Sequence, residues 1–165
     1  MRERRTRAGG VDEDGPVTPK TFFSIFAVGE AITWALLLAG MFLKYVTRTT
    51  EALVSIGGAL HGFMFLAFVV ATVYVGVSQK WRAGRVLMGL VSAVIPFATV
   101  PFEMVVTRRG GLAGGWRLGR DGAQPGNAAE AVVAWTLHRP VVALAVGAVV
   151  VAGVFTALMV SGPPV

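Results

Sequence analysis

Residues 22–43 have the sequence FFSIFAVGEAITWALLLAGMFL, and this uninterrupted apolar stretch decides the fold. As an α-helix it would be about 33 Å long, enough to cross a hydrocarbon core of roughly 30 Å. Its one ionisable residue is Glu30. A charge at the centre of a membrane helix costs at least about 2.5 kcal/mol, so such a residue usually faces protein or water.

Three more apolar stretches follow, at residues 52–77, 86–106 and 141–160. The connectors within the first three are short, so the helices must be antiparallel neighbours. The composition agrees with a lipid environment: the chain is 55% hydrophobic and 15% charged, whereas soluble domains are nearer a quarter charged. The sequence therefore predicts an all-α polytopic transmembrane bundle, with a three-helix core and a fourth C-terminal transmembrane helix.

The predicted organisation has five parts. The charged residues 1–20 are predicted to be a disordered tail, with a secretory signal peptide as the competing interpretation. Asn127 and Glu130 have the spacing of a capping box and so predict the start of a short helix. The remaining parts are a three-helix core at 21–109, a Gly- and Arg-rich loop at 110–126, an interfacial helix at 127–139 and the fourth transmembrane helix at 140–160.

The basic residues lie mainly at the ends of the apolar stretches. With 15 Lys and Arg against nine Asp and Glu, the net charge is +6, and this placement favours lipid headgroups over nucleic acid. If the N-terminus is cytoplasmic and residues 86–106 cross, the inner segments carry five plus three basic residues and the outer ones two plus five. Eight basic residues on one side against seven on the other barely favour one orientation of the chain. We expect a cytoplasmic N-terminus in the cell membrane, because a cationic tail seldom translocates.

The candidate functional residues form an intramembrane polar cluster of Glu30, His61, Thr33 and Thr99. Such a cluster could fix how the helices pack or could relay protons, and the sequence alone leaves both open. Gly58 and Gly62 form a small-xxx-small pair suited to close helix packing.

Two further features of the core concern its third stretch. Lys44 and Glu103 are expected at the same membrane surface, as an interfacial ion pair. Pro96 predicts a kink there, with a hinge as the alternative.

Other chemistry finds little support in the sequence. The chain has no cysteine, which excludes disulfides and thiolate metal sites. His61 could ligate haem only with a second axial ligand, and His138 is expected at the surface, so only a homodimer would supply one. We therefore expect no metal, no cofactor and no enzymatic activity.

The segments VGEAITWALLLAGMFLKYV, GGALHGFMFLAFV and QKWRAGRVLMGLVSAVIPFATVPFE closely resemble a small bacterial, actinobacterial-type integral-membrane family, domain of unknown function 3817. The resemblance covers about residues 22–109, and residues 110–165 inherit nothing from it. It implies a membrane protein without an assigned activity. It carries over the following signature positions: Glu30, Trp34, Lys44, His61, Gly62, Pro96 and Glu103.

Two functions are therefore kept as expectations. The first is a non-enzymatic accessory or interaction subunit of a larger membrane assembly, bound to other membrane proteins or to further copies of itself. The second is an oligomeric proton-coupled channel or small transporter that uses Glu30 and His61. An enzyme acting on lipid is a weaker third, because no nucleophile can be named.

Overall fold

The computed structural model describes residues 17–120 and 122–161, and within them all regular structure is helical. The disordered tail predicted for residues 1–20 lies, up to residue 16, outside this range. A π-helical turn, Phe42–Thr47, extends the first helix. The six α-helices are α1 Pro19–Met41, α2 Ala52–Ser78, α3 Ala83–Val94, α4 Thr99–Arg108, α5 Ala128–His138 and α6 Pro140–Ser161.

Helices α1 and α2 form a long antiparallel pair. Thr18 caps α1 by accepting a hydrogen bond from the Thr21 N–H, and Pro19 occupies the first turn, where no N–H partner is needed. The two helices approach most closely at glycines: a Cβ on Gly40 would lie 2.6 Å from Val54 Cα, and one on Gly57 would lie 3.1 Å from the Leu36 backbone. The predicted packing glycines are placed differently, since Gly58 has ordinary contact with Leu37 and Gly62 faces α6.

The third apolar stretch folds back on itself. At 1.5 Å per residue, α3 and α4 are each only about 15–18 Å long, half the thickness of a hydrocarbon core. Along α3 the contacts run from Val86 against Gly76 to Gly89 against Thr72, so α3 leaves the end of α2 and moves inward. Along α4 they run from Thr99 at Ala27 to Glu103 at Ser24, so α4 returns to the start of α1.

A tight turn joins the two halves of this hairpin at mid-membrane depth. The Ala98 N–H donates to the Ile95 carbonyl at 3.0 Å, with Pro96 next in the turn and Phe97 at φ +63°. This is the pattern of a type II turn, which favours proline at its second residue and a positive φ at its third. The depth of the turn follows from Trp34, which lies at the middle of the Pro19–Thr47 span. Its indole N–H donates a hydrogen bond to the Ala93 carbonyl at 3.4 Å, so the end of α3 lies at the same depth.

The single crossing helix predicted for residues 86–106, kinked at Pro96, is therefore wrong, because Pro96 starts a reversal of the chain. Among the residues the structure describes, three helical segments are long and apolar enough to cross a membrane: Pro19–Thr47, Ala52–Ser78 and Pro140–Ala157. One membrane surface, named the first face, then holds the start of α1, the end of α2, both open ends of the hairpin and α5. The α1–α2 connector and the end of α6 share the other, the second face.

The first-face half of the bundle carries most of the core. Phe23, Phe68, Trp81 and Phe102 pack there with ring centroids 5.4–6.2 Å apart. The loop after α4 closes over them through tryptophan N–H groups, from Trp81 to the Gly111 carbonyl and from Trp116 to the Val17 carbonyl, both at 2.8 Å. Helix α6 touches α2 through Phe155, which lies against Gly62 and Phe63. The predicted all-helical transmembrane bundle is confirmed.

The close α1–α2 approach generates a stability prediction. Gly40→Ala should lower the free energy of unfolding by about 1–3 kcal/mol, because the new methyl group would overlap the Val54 backbone and force the helices apart. Gly147→Ala is the matched control, since a Cβ there meets nothing within 4 Å. Thermal unfolding in detergent micelles measures both variants. Equal midpoints for the two would contradict the glycine-mediated contact.

Candidate functional site

The centre of the site is the carboxylate of Glu30, which α1 holds completely buried. The Thr99 hydroxyl shares its proton between Glu30 Oε2 at 2.8 Å and the Ala27 carbonyl at 2.9 Å. Thr99 is also the first residue of α4, so the carboxylate lies at a helix N-terminus, where the helix dipole favours negative charge. The hairpin thus brings both a hydroxyl and a helix end to a carboxylate in the middle of the membrane.

The second carboxylate oxygen is not bonded. Glu30 Oε1 is buried and has no hydrogen-bond partner within the described part of the chain. An unsatisfied buried polar atom costs about 1–3 kcal/mol, and more when it is charged. Among the described residues this oxygen is therefore the one fully buried polar atom of the cluster that is free to take a proton or to accept a bond from another molecule.

Thr33 lies between the main chain of Glu30 and the ring of His61. Its hydroxyl donates to the Glu30 carbonyl at 2.9 Å and lies 3.3 Å from His61 Nδ1. The Trp34 ring packs on the imidazole with centroids 4.2 Å apart. All four residues of the predicted cluster therefore lie in one neighbourhood, but the Glu30 carboxylate is bonded to Thr99, whereas His61 contacts Thr33, and the two ionisable groups are not paired with each other.

The predicted Lys44–Glu103 ion pair is wrong. Lys44 Nζ lies 3.6 Å from Glu51 Oε2 at the second face. Glu103 lies near the first face, where its Oε1 accepts hydrogen bonds from Ser24 at 2.7 Å and Thr107 at 3.0 Å. The error follows from the prediction that the third helix crosses the membrane, because a crossing segment would have carried Glu103 to the opposite surface.

The first face holds an ion pair that sequence reasoning missed. Arg117 Nη2 lies 2.8 Å from Glu130 Oε1, and the same guanidinium donates from Nε to the Ser78 carbonyl at 2.6 Å. The Gly126 N–H and this guanidinium lower the pKa of Glu130 below its usual value, against the opposing effect of burial. Arg117 thus caps the end of α2 and fastens α5 to it. The capping-box spacing in the sequence identifies Glu130 only as a signal for the start of a helix.

The described cavities lie away from the polar cluster. One is at the first face between α2, α3 and α5, and the other surrounds the α1–α2 connector. Neither is lined by Glu30 or His61. Among residues 17–120 and 122–161, no three His, Asp or Glu side chains come together as a metal site would need.

Comparison with known proteins gives one family and one relative. A family model described as "Domain of unknown function (DUF3817)" matches residues 20–108. A Streptomyces coelicolor protein named "Putative membrane protein SCO5905" is 50% identical over 91 residues, which are 54% of this chain and 11% of the relative. The matched segment thus covers only about a tenth of that relative's length. No solved structure matches significantly.

The Glu30–Thr99 contact generates the prediction for this site. Thr99→Val should lower the free energy of unfolding by about 1–3 kcal/mol, because both carboxylate oxygens would then be buried without a partner. Thr99→Ser keeps the hydroxyl and should stay close to the parent chain. Thermal unfolding in micelles compares the two. If the valine variant were as stable as the serine variant, the hydroxyl would not anchor the hairpin.

Proposed function

Because the chain belongs to the DUF3817 family, whose description assigns no activity, we propose a function from its own geometry. We propose that it is a non-enzymatic accessory or interaction subunit of a larger membrane assembly. The observation that carries this proposal is the exposed tip of the α3–α4 hairpin.

The tip lies at mid-membrane depth, its backbone is irregular and its side chains are exposed. Val94, Ile95 and Phe97 are 64%, 52% and 45% exposed, and the chain is non-helical from Ile95 to Ala98. Irregular backbone at membrane depth is tolerated only where protein buries it or where it lines a water-filled cavity, since lipid cannot satisfy its polar groups. Within the described chain nothing buries this turn. A protein partner, or a second copy of the chain, is the cover that a subunit of an assembly would have.

The relative supports the same proposal. Its matching segment is only 11% of a much longer membrane protein. A module of about 90 residues that occurs within a longer membrane polypeptide is suited to packing against other membrane segments.

A proton-coupled channel or carrier is the second candidate, and one observation favours it. The unbonded Glu30 Oε1 lies just beneath the hairpin tip. Water covering the tip would also satisfy its backbone, and could then reach this carboxylate. The two candidates therefore differ in what lies over the turn.

Photo-crosslinking distinguishes protein from water and lipid at the tip. With p-benzoylphenylalanine in place of Phe97, illumination of native membranes should give a discrete protein adduct. The same probe at Leu87, 62% exposed on the regular part of α3, is the control and should give far less. An adduct of twice the chain mass would identify the partner as a second copy. Equal yields at both positions would refute a covered tip.

The channel candidate predicts water, and not a protein partner, at the tip of the hairpin. Phe97→Cys would then react with a small water-soluble thiol reagent, with no background because the chain has no native cysteine. The purified protein alone would also carry protons into liposomes, and Glu30→Gln would abolish that flux. Either result without a protein adduct would overturn the accessory role.

We further propose that the protein lies in the cell membrane with its N-terminus cytoplasmic. Because the hairpin returns to the first face, the basic residues of the segments on both sides of it now fall on one surface. The described chain has nine basic residues there and two at the second face, Lys44 and Arg48. Basic residues accumulate on cytoplasmic segments, so nine against two orients the first face inward. The nine are Lys20, Lys80, Arg82, Arg85, Arg108, Arg109, Arg117, Arg120 and Arg139.

Single cysteines test this orientation. In intact cells a membrane-impermeant maleimide should label Thr49→Cys and Ser161→Cys at the second face, and should label Ala123→Cys only after the membrane is permeabilised. Ser161→Cys decides between topologies, because a third helix that crossed would place the end of α6 beside the N-terminus. Labelling of Ala123→Cys but not Ser161→Cys in intact cells would contradict the proposal.

A further inference from the structure

A groove at the first face is open between three helices. Its volume is about 330 Å³, and its walls come from α2, α3 and the start of α5. The deeper part is lined by Val73, Val77 and Val86, and the outer part by Lys80 and Asn127. Lys80 follows Val73 by seven residues, so the groove runs roughly 10 Å along α2 from the membrane surface into the apolar region.

The charge at the mouth of the groove is positive. Glu130 also lines it, but its carboxylate is bonded to Arg117 at 2.8 Å and to the Gly126 N–H at 2.9 Å, and it attracts Lys80 only from beyond ion-pair distance. Lys80 is exposed and forms no ion pair within the residues the structure describes. The neighbouring Arg82 and Arg85 add to the positive potential of this edge.

Lys80 is also an uncommon residue for its position. It has φ +51°, and the hydrogen bonds from Lys80 N to the Val77 carbonyl and from Trp81 N to the Gly76 carbonyl close a Schellman motif at the end of α2. Glycine is the usual residue there, since a side chain is strained at positive φ. The chain places a cation at this position although glycine would suit the backbone better.

We propose that this groove binds one anionic phospholipid, with its phosphate at Lys80 and the first part of an acyl chain along Val73, Val77 and Val86. An apolar trough that ends in an unpaired ammonium group at the membrane surface matches such a lipid in both polarity and depth. A zwitterionic lipid would place its own cation against Lys80 and is disfavoured. The site is independent of the accessory role and of the orientation proposed above.

The test measures which lipid the protein retains. The full chain is reconstituted in nanodiscs of equal parts phosphatidylglycerol and phosphatidylcholine, and the bound lipid is counted by native mass spectrometry after gentle release. The parent chain should retain about one phosphatidylglycerol. Lys80→Gly and Lys80→Gln should each retain about fivefold less, the effect of one cation near a membrane surface. Lys80→Arg should keep the lipid.

The chain contains a matched control for the glycine variant. Arg48 is likewise a basic residue at positive φ, 54°, after a helix end, but it lies at the second face and outside the groove. Both Arg48→Gly and Lys80→Gly relieve the same backbone strain, so neither should fail to fold, and only the latter should lose the lipid. Retention of phosphatidylglycerol by Lys80→Gly, equal loss in Arg48→Gly, or equal retention of phosphatidylcholine by the parent chain would each overturn the proposal.

Discussion

The reversal at Pro96 is possible because α1 offers polar groups at mid-membrane depth. A chain that turns inside hydrocarbon leaves helix ends without partners, and lipid cannot replace them. Here the Glu30 carboxylate faces the N-terminus of α4, and the Trp34 indole bonds to the Ala93 carbonyl near the end of α3. The indole satisfies a backbone carbonyl before the turn, and the carboxylate accepts a hydrogen bond from the Thr99 hydroxyl after it. The polar cluster and the hairpin therefore depend on each other.

This dependence gives the intramembrane carboxylate of Glu30 a structural role. Glu30 alone on a lipid-facing helix would be a liability, and α3–α4 alone would be two helices too short to cross. Together they form a unit in which a buried acid holds a re-entrant segment in place. Within the described part of that unit, one oxygen of Glu30 has no hydrogen-bond partner and the turn of the hairpin is exposed. Both lie at mid-membrane depth, so whatever covers the tip also lies close to the unbonded oxygen.

The sequence predicts this fold wherever the length of an apolar stretch alone is decisive. Helices α1, α2 and α6 are so long and apolar that crossing the membrane is the arrangement with the lowest free-energy cost. The proximity of Glu30, Thr33 and Thr99 also follows from helical spacing and short connectors. Residues 86–106 are different, because their hydropathy is the same whether they cross or turn back. Only tertiary contacts with α1 decide between a kink and a reversal at Pro96, and the misplaced Glu103 and the balanced charge count both followed from that one ambiguity.

The hairpin also gives the molecule unequal cross-sections in the two leaflets. Beside the three crossing helices, the first-face leaflet must accommodate α3, α4 and the packed loop, whereas the opposite leaflet accommodates none of them. The protein is therefore a wedge that displaces more lipid area from one monolayer than from the other. A wedge of this kind generates curvature stress in a flat bilayer. That stress is relieved where the membrane bends toward its narrow side, or where a neighbouring helix fills the thinner half.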